Sequence, residues 1–264
     1  MGETQRRVLY AIPAIVYAGV IVALGGIVFA LGIALLGVVC LRELYEMMRR
    51  ARPIDVAGFV AVAAMCVTAV YGERHQVLMV LAFSIPLTFL LALARPMRRD
   101  VSWGIAATLF GIMWIGMALA HAVLLRELDH GGALVLAVLI GTFIGDTAAY
   151  FGGRAWGRTR IAPRISPNKT LAGLVSGIVG GTFAFWLFGL AYHHEWFAGG
   201  DRLVIGLAVA LVAPVGDLFE SLVKRDLGVK DTGRFFGAHG GALDRLDAVL
   251  FSIVAAYYVS VAVL

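Results

Sequence analysis

Apolar residues run through this chain in long blocks, and charge is confined to short breaks between them. From Val8 to Leu41 there is no charged residue. A helix needs about 20 apolar residues to cross a bilayer, so this run is too long for one crossing and suits two. Gly25-Gly26 is the predicted turn between them. The same reading places nine helices at 8–24, 27–46, 54–71, 76–94, 101–124, 132–152, 171–192, 203–222 and 246–264. Arg6 and Arg7 would suit a secretory signal, but the apolar run is too long for one and no clear small-residue cleavage site follows, so a retained first span is expected. The expected fold is an all-α polytopic membrane protein of about nine transmembrane helices, forming one integral-membrane domain over residues 1–264.

Composition agrees with this pattern. The chain is 61% hydrophobic and 15% charged, where a soluble domain carries about 25% charge. A soluble fold of this composition could not cover its surface with polar groups. Cys40 and Cys66 lie in apolar spans without metal-ligand spacing, so they read as packing residues.

Charge placement adds an orientation. With Arg42 counted in the connection it borders, 19 of the 22 Lys and Arg fall at the N-terminus and in alternate connections; only Arg74, Arg126 and Arg202 fall on the opposite side. Cytoplasmic loops carry the excess of basic residues. The N-terminus is therefore expected in the cytoplasm and the C-terminus outside. The net charge of +5 then belongs to a membrane surface, and no nucleic-acid partner is expected. Gly- and Ala-rich spans would suit packing against a second copy, so a homodimer is compatible with the sequence. Compactness and charge topology favour a bacterial cytoplasmic membrane.

Some charges are placed where the membrane resists them. Asp146 lies within LIGTFIGDTAAYFGG, and Asp217 near the end of LVAPVGDLFESLVKR. An acid near the bilayer centre costs about 2.5–3.5 kcal/mol on insertion scales, so such residues face a bundle interior or a wet cavity. Asp217, Ser221 and Lys224 are spaced to share one helix face, with Glu220 beside it. Pro214 is a candidate bend in that helix. The following loop carries Lys230, Asp231, Arg234 and His239-Gly240-Gly241; Asp244, Arg245 and Asp247 then open the last span. The two glycines would let backbone approach a ligand closely. Asp244 also suits a helix cap, although one cap does not require the second acid at Asp247. Carboxylates with few nitrogen or sulfur donors favour Mg²⁺, which is held by one or two carboxylates plus substrate phosphates. Lys and Arg would neutralise the remaining phosphate charge. The chemistry indicated is phosphate chemistry at a membrane surface, with the substrate not named by composition. His239 has three readings: general base, phosphate contact or loop-packing residue.

Ser221, Lys224-Arg225, Lys230-Asp231, His239-Gly240-Gly241 and Asp244-Arg245-Leu246-Asp247 together resemble the signature of the phosphatidate cytidylyltransferases, or CDP-diacylglycerol synthases. Ser166-Pro167-Asn168-Lys169-Thr170 is similar to that family's Ser-Pro-x-Lys-Thr segment, and Asp146 with Ala149-Tyr150 to its acidic sixth-span motif. The motifs lie within about 141–264. The chain departs from the family at Ala172, where an acid often precedes the glycine.

The resemblance implies that CTP and phosphatidate react at the cytoplasmic membrane boundary to give CDP-diacylglycerol and pyrophosphate. It implies Mg²⁺ ligation by Asp217 and Asp244, with Asp247 as a further or outer ligand; a second cation would serve the same chemistry. Ser221 and Lys224 are then expected on the metal-bound phosphate, and Asp217, Asp244, Ser221 and Lys224 form the catalytic set. Lys169, Arg225, Lys230, Arg234 and Arg245 are expected to share the substrate charge. Ser166, Asp231, His239, Gly240 and Gly241 complete the substrate-binding set, and Asp146 supports the site. The competing readings are a CTP-dependent polyprenol or phytol kinase, which would release CDP, and a secondary transporter, whose key charges would lie near the midplane.

Overall fold

The computed structural model describes residues 3–71, 74–95, 100–192, 199–233 and 240–263. Among these residues there are nine long helices and no strand: α1 Glu3–Leu24, α2 Gly26–Met47, α3 Asp55–Val70, α4 Arg74–Leu93, α5 Val101–Arg126, α6 Gly131–Trp156, α7 Leu171–Tyr192, α8 Gly199–Asp226 and α9 Leu243–Val263. Each coincides with a span expected from the sequence, and the protein is an all-α polytopic membrane protein. Seven of the helices are long and apolar enough to cross a membrane. The others are α3, whose 16 residues span about 24 Å against a hydrocarbon core of about 30 Å, and α1, whose apolar stretch is Ile12–Leu24.

The largest boundary differences are at polar ends. The first helix begins at Glu3 and not at 8, the sixth continues past 152 to Trp156, and α8 runs from Gly199 to Asp226, not only over 203–222. Apolarity marks where lipid begins and ends, whereas backbone hydrogen bonding carries a helix on into water or loop. Pro214 does not end α8.

The chain divides into two compact units: residues 1–127 with 231–244, and residues 128–230 with 245–264. In the first, α1 stops because Gly25 and Gly26 both take positive φ, 65° and 50°. Arg126 closes that turn, its Nε donating to the Val22 carbonyl at 3.0 Å while its guanidinium occupies the space a Cβ on Gly25 would need. Phe29, Leu41 and Leu44 of α2, Met65 of α3, and Ile112 and Leu125 of α5 are fully buried. Tyr45 fits between Gly58 and Gly111 and donates to the Thr108 carbonyl at 2.9 Å.

The second unit is organised by glycine. Gly141 and Gly145 on α6 meet Gly181 and Gly177 on α7, with a Cβ at Gly145 placed 3.2 Å from the Gly177 carbonyl oxygen. Lipid offers no hydrophobic drive between helices, so close backbone approach through small residues supplies the attraction. Part of the glycine content that suits a subunit interface thus joins two helices of one chain. Gly177→Leu should therefore force α6 and α7 apart at a cost of at least about 1–3 kcal/mol. The expected result is a clear fall in melting temperature in detergent, with Val179→Leu, on an exposed position of α7, unchanged.

Candidate active site

The second unit holds a cluster built on α8. Asp217 and Ser221 lie one turn apart, with the Ser221 hydroxyl 3.4 Å from Asp217 Oδ1. Lys169 reaches the same carboxylate, Nζ to Oδ2 2.6 Å. Lys169 belongs to the connection between α6 and α7, which folds back on itself. The Ile161 amide donates to the Lys169 carbonyl at 3.0 Å and the Leu171 amide to the Thr159 carbonyl at 2.8 Å. Within it, the Lys169 amide returns to the Ser166 carbonyl at 3.2 Å, so the Ser-Pro-Asn-Lys segment is a turn with Lys169 at its end. Thr170 caps α7 by accepting the Gly173 amide at 3.1 Å, a contact of about 1 kcal/mol. Ala172, where the family often has an acid, lies in the first turn after that cap.

Arg225 donates through Nε to the Ile165 carbonyl at 3.2 Å. It was expected to share substrate charge, and in the structure one of its donors holds the loop that presents Lys169. Lys224 shares the expected face but pairs with Glu220, Nζ to Oε1 3.2 Å. Glu220 is fully buried. The sequence placed it only beside the important face, yet its carboxyl interacts with that of Asp247. Asp247 also accepts its neighbour Ala248 amide at 2.7 Å. Gly216 makes this packing possible, because a Cβ there would strike the Asp247 carbonyl oxygen. Asp146, on α6, feels the charges of Asp247, Asp217 and Lys169. Four carboxylates and two lysines therefore converge in one unit.

Asp244 belongs to the first unit. Its Oδ2 accepts the Thr232 amide at 2.9 Å, the Thr232 hydroxyl at 2.9 Å and the Gly241 amide at 2.7 Å. Asp244 thus fastens the approach to α9, the capping role that competes with metal ligation. Gly240 takes φ 83°, and a Cβ on it would meet Asp244 Oδ2 at 2.6 Å. The paired glycines therefore admit protein carboxylates, where the sequence suggested room for a ligand. Of the remaining expected residues, Lys230, Asp231 and Arg245 are exposed and Ser166 is half-buried. Arg234 and His239 lie outside the described residues.

Sequence reasoning missed Glu43. It is buried on α2 and accepts the Ala242 and Leu243 amides, each at 3.0 Å. The available signal was an acid inside a stretch predicted to be a membrane span. A cavity of about 500 Å³ in the same unit, lined by Arg42, Arg49, Arg52, Arg95 and several acids, includes none of the predicted site residues.

The donor set is of the hard oxygen type that suits Mg²⁺. Among the described residues, no three of His, Cys, Asp and Glu form a ready cage. Mg²⁺ commonly relies on one or two carboxylates and completes its shell with phosphate and water, so Asp217 and Asp247 fit such an ion by chemistry.

The chain is similar to several known proteins. A phosphatidate cytidylyltransferase of Thermotoga maritima is 40% identical over 135 residues, 50% of each chain. One of Mycobacterium leprae is 37% identical over 168 residues, 63% of this chain and 53% of the relative. One of Helicobacter pylori is 39% identical over 125 residues, 47% of this chain and 45% of the relative. The chain spans about half the length of the curated relatives it matches. The cytidylyltransferase family profile matches residues 5–263, nearly the whole sequence, and the chain belongs to that family.

Proposed function

We propose that this protein is a phosphatidate cytidylyltransferase, forming CDP-diacylglycerol and pyrophosphate from CTP and phosphatidate. The observation that carries this reading is the contact of Lys169 and Ser221 with the Asp217 carboxylate, beside Lys224, Glu220 and Asp247. It combines a carboxylate suited to a hard cation with lysines suited to phosphates, on a protein embedded in lipid. Relatives named phosphatidate cytidylyltransferase support the choice of substrates.

In this reading the lipid phosphate oxygen attacks the α-phosphorus of CTP. A new P–O bond forms to the lipid as the bond to the β-phosphate bridging oxygen breaks, and pyrophosphate leaves with that electron pair. The lipid phosphate is already ionised at neutral pH, so no strong general base is required. Lys169 and Lys224 offset the repulsion between the two anions, and Ser221 donates to a phosphate oxygen. Arg225 keeps the Lys169 loop in place, while Lys230, Arg234 and Arg245 contribute further positive charge. Asp217 and Asp247 would hold Mg²⁺, which supplies charge neutralisation when bound, and the resemblance adds Asp244, one turn earlier on α9, as a ligand. Positioning and electrostatics then provide most of the rate. The basic-residue asymmetry supports a cytoplasmic N-terminus and a site facing the cytoplasm.

The test is transfer from CTP labelled on its α-phosphate, with purified protein in mixed micelles of phosphatidate and Mg²⁺. Label in the lipid fraction with release of pyrophosphate is the expected result. CDP as the released product, or no label in lipid from folded protein, would overturn the assignment.

A further inference from the structure

We propose that Glu43, near the end of α2, is a positioning residue for the reaction, acting on Asp244 and the start of α9 through Thr232 and the amides of Ala242 and Leu243; this rests on the cytidylyltransferase reading. Both oxygens of the Glu43 carboxylate are engaged. Oε1 accepts the Ala242 amide at 3.0 Å, and Oε2 accepts the Leu243 amide at 3.0 Å and lies 3.3 Å from the Thr232 hydroxyl. One side chain therefore gathers positions 232, 242 and 243 from a helix almost 200 residues earlier. Asp244 closes on the same threonine from the other side, taking its amide and hydroxyl on Oδ2, both at 2.9 Å. The hydroxyl has one proton and stands between two carboxylates, so the setting of Asp244 is tied to that of Glu43.

Steric detail shows that this carboxylate has a built place. A Cβ on Gly241 would strike Glu43 Oε2 and the Thr232 hydroxyl, and a Cβ on Gly233 would meet the Glu43 carboxylate. Two positions thus lack side chains where Glu43 enters. A buried carboxylate is costly unless hydrogen-bonded, and an apolar side chain would fill the same space without that cost. What the carboxylate adds is direction. It points the first free amides of α9 and the Thr232 hydroxyl at fixed acceptors, which sets the carboxyl group of Asp244. Substitutions of groups that orient metal ligands lower affinity or activity by about 10–100-fold.

The experiment compares full-length wild type, Glu43→Gln and Thr232→Val in the labelled-CTP assay, with the Mg²⁺ concentration for half-maximal rate and the melting temperature measured for each. Glutamine has one acceptor oxygen where glutamate offers two, so its NH₂ faces a donor. The expected result is a kcat about 10–100-fold lower, a KM for CTP within about threefold of wild type, and a several-fold higher Mg²⁺ requirement. Thr232→Val leaves the contacts of Glu43 to Ala242 and Leu243 intact and should move the same quantities in the same direction by less. If Glu43→Gln fails to fold, Thr232→Val decides alone. Wild-type kcat and Mg²⁺ dependence in a folded variant, or a loss confined to melting temperature, would overturn the positioning role and leave the cytidylyltransferase reading intact. An inactive wild type would overturn that reading, and the role with it.

Discussion

Asp217→Asn should reduce label transfer from CTP to lipid by about 10²–10³-fold, the scale of losing one preorganised electrostatic contact to the reacting groups, while the protein stays folded. Asparagine keeps the shape of aspartate and can still accept from Ser221. It loses the charge that draws Lys169 to 2.6 Å and that would bind a divalent cation. Stability should change less. The Asp217 side chain is 36% exposed but Lys169 Nζ is buried, so the cost lies between the about 0–1 kcal/mol of a surface pair and the about 3–5 kcal/mol of a buried one. The result to look for is a modest fall in melting temperature with collapsed turnover. A folded Asp217→Asn protein with full Mg²⁺-dependent turnover would remove Asp217 from the mechanism.

The largest stability effect is expected at Lys224. Its ammonium is 3.2 Å from a carboxylate of Glu220 that has no solvent exposure. Lys224→Met removes that cation and leaves the buried carboxylate beside Asp247. Breaking a buried pair from one side costs about 3–5 kcal/mol, or a fall in melting temperature on the order of 10 °C for a chain of this size. Glu220→Gln should cost less, because the lysine left behind retains contact with solvent and one of two neighbouring carboxylates has lost its charge. The double variant Glu220→Gln/Lys224→Met separates the two roles of the lysine. It should regain much of the stability and none of the transfer activity. Full activity in the double variant would show that Lys224 serves only to neutralise Glu220.

The architecture could be read from the sequence because lipid imposes length and apolarity on each crossing, and those are local properties. Asp217 and Ser221 were legible for a similar reason, since helix periodicity alone puts them on one face. Lys169 was legible only through the resemblance of its Ser-Pro-Asn-Lys-Thr segment to a known motif; nothing local says that the loop folds back to meet α8. Glu220 was undervalued because its neighbour across the helix interface, Asp247, comes from another element. Glu43 was missed because its partners are 189 to 200 positions away. The glycines of His-Gly-Gly were noticed and given a different reason, because an absent side chain does not reveal what fills its space.

The glycine seam between α6 and α7 has a consequence for charge as well as for packing. Ser176 and Phe185 of α7 fit against Gly152 and Gly141 of α6, and Ala148 of α6 against Gly180 of α7, so the register of the two helices depends on these contacts, on the carbonyl-to-glycine contacts and on the folded connection at their ends. Sliding by one helical turn displaces a helix by about 5.4 Å. Lys169 lies in that connection, two residues before α7 begins, and such a slip would take it out of reach of Asp217. The spacing of glycines midway along α6 and α7 therefore governs an ion pair beyond their ends.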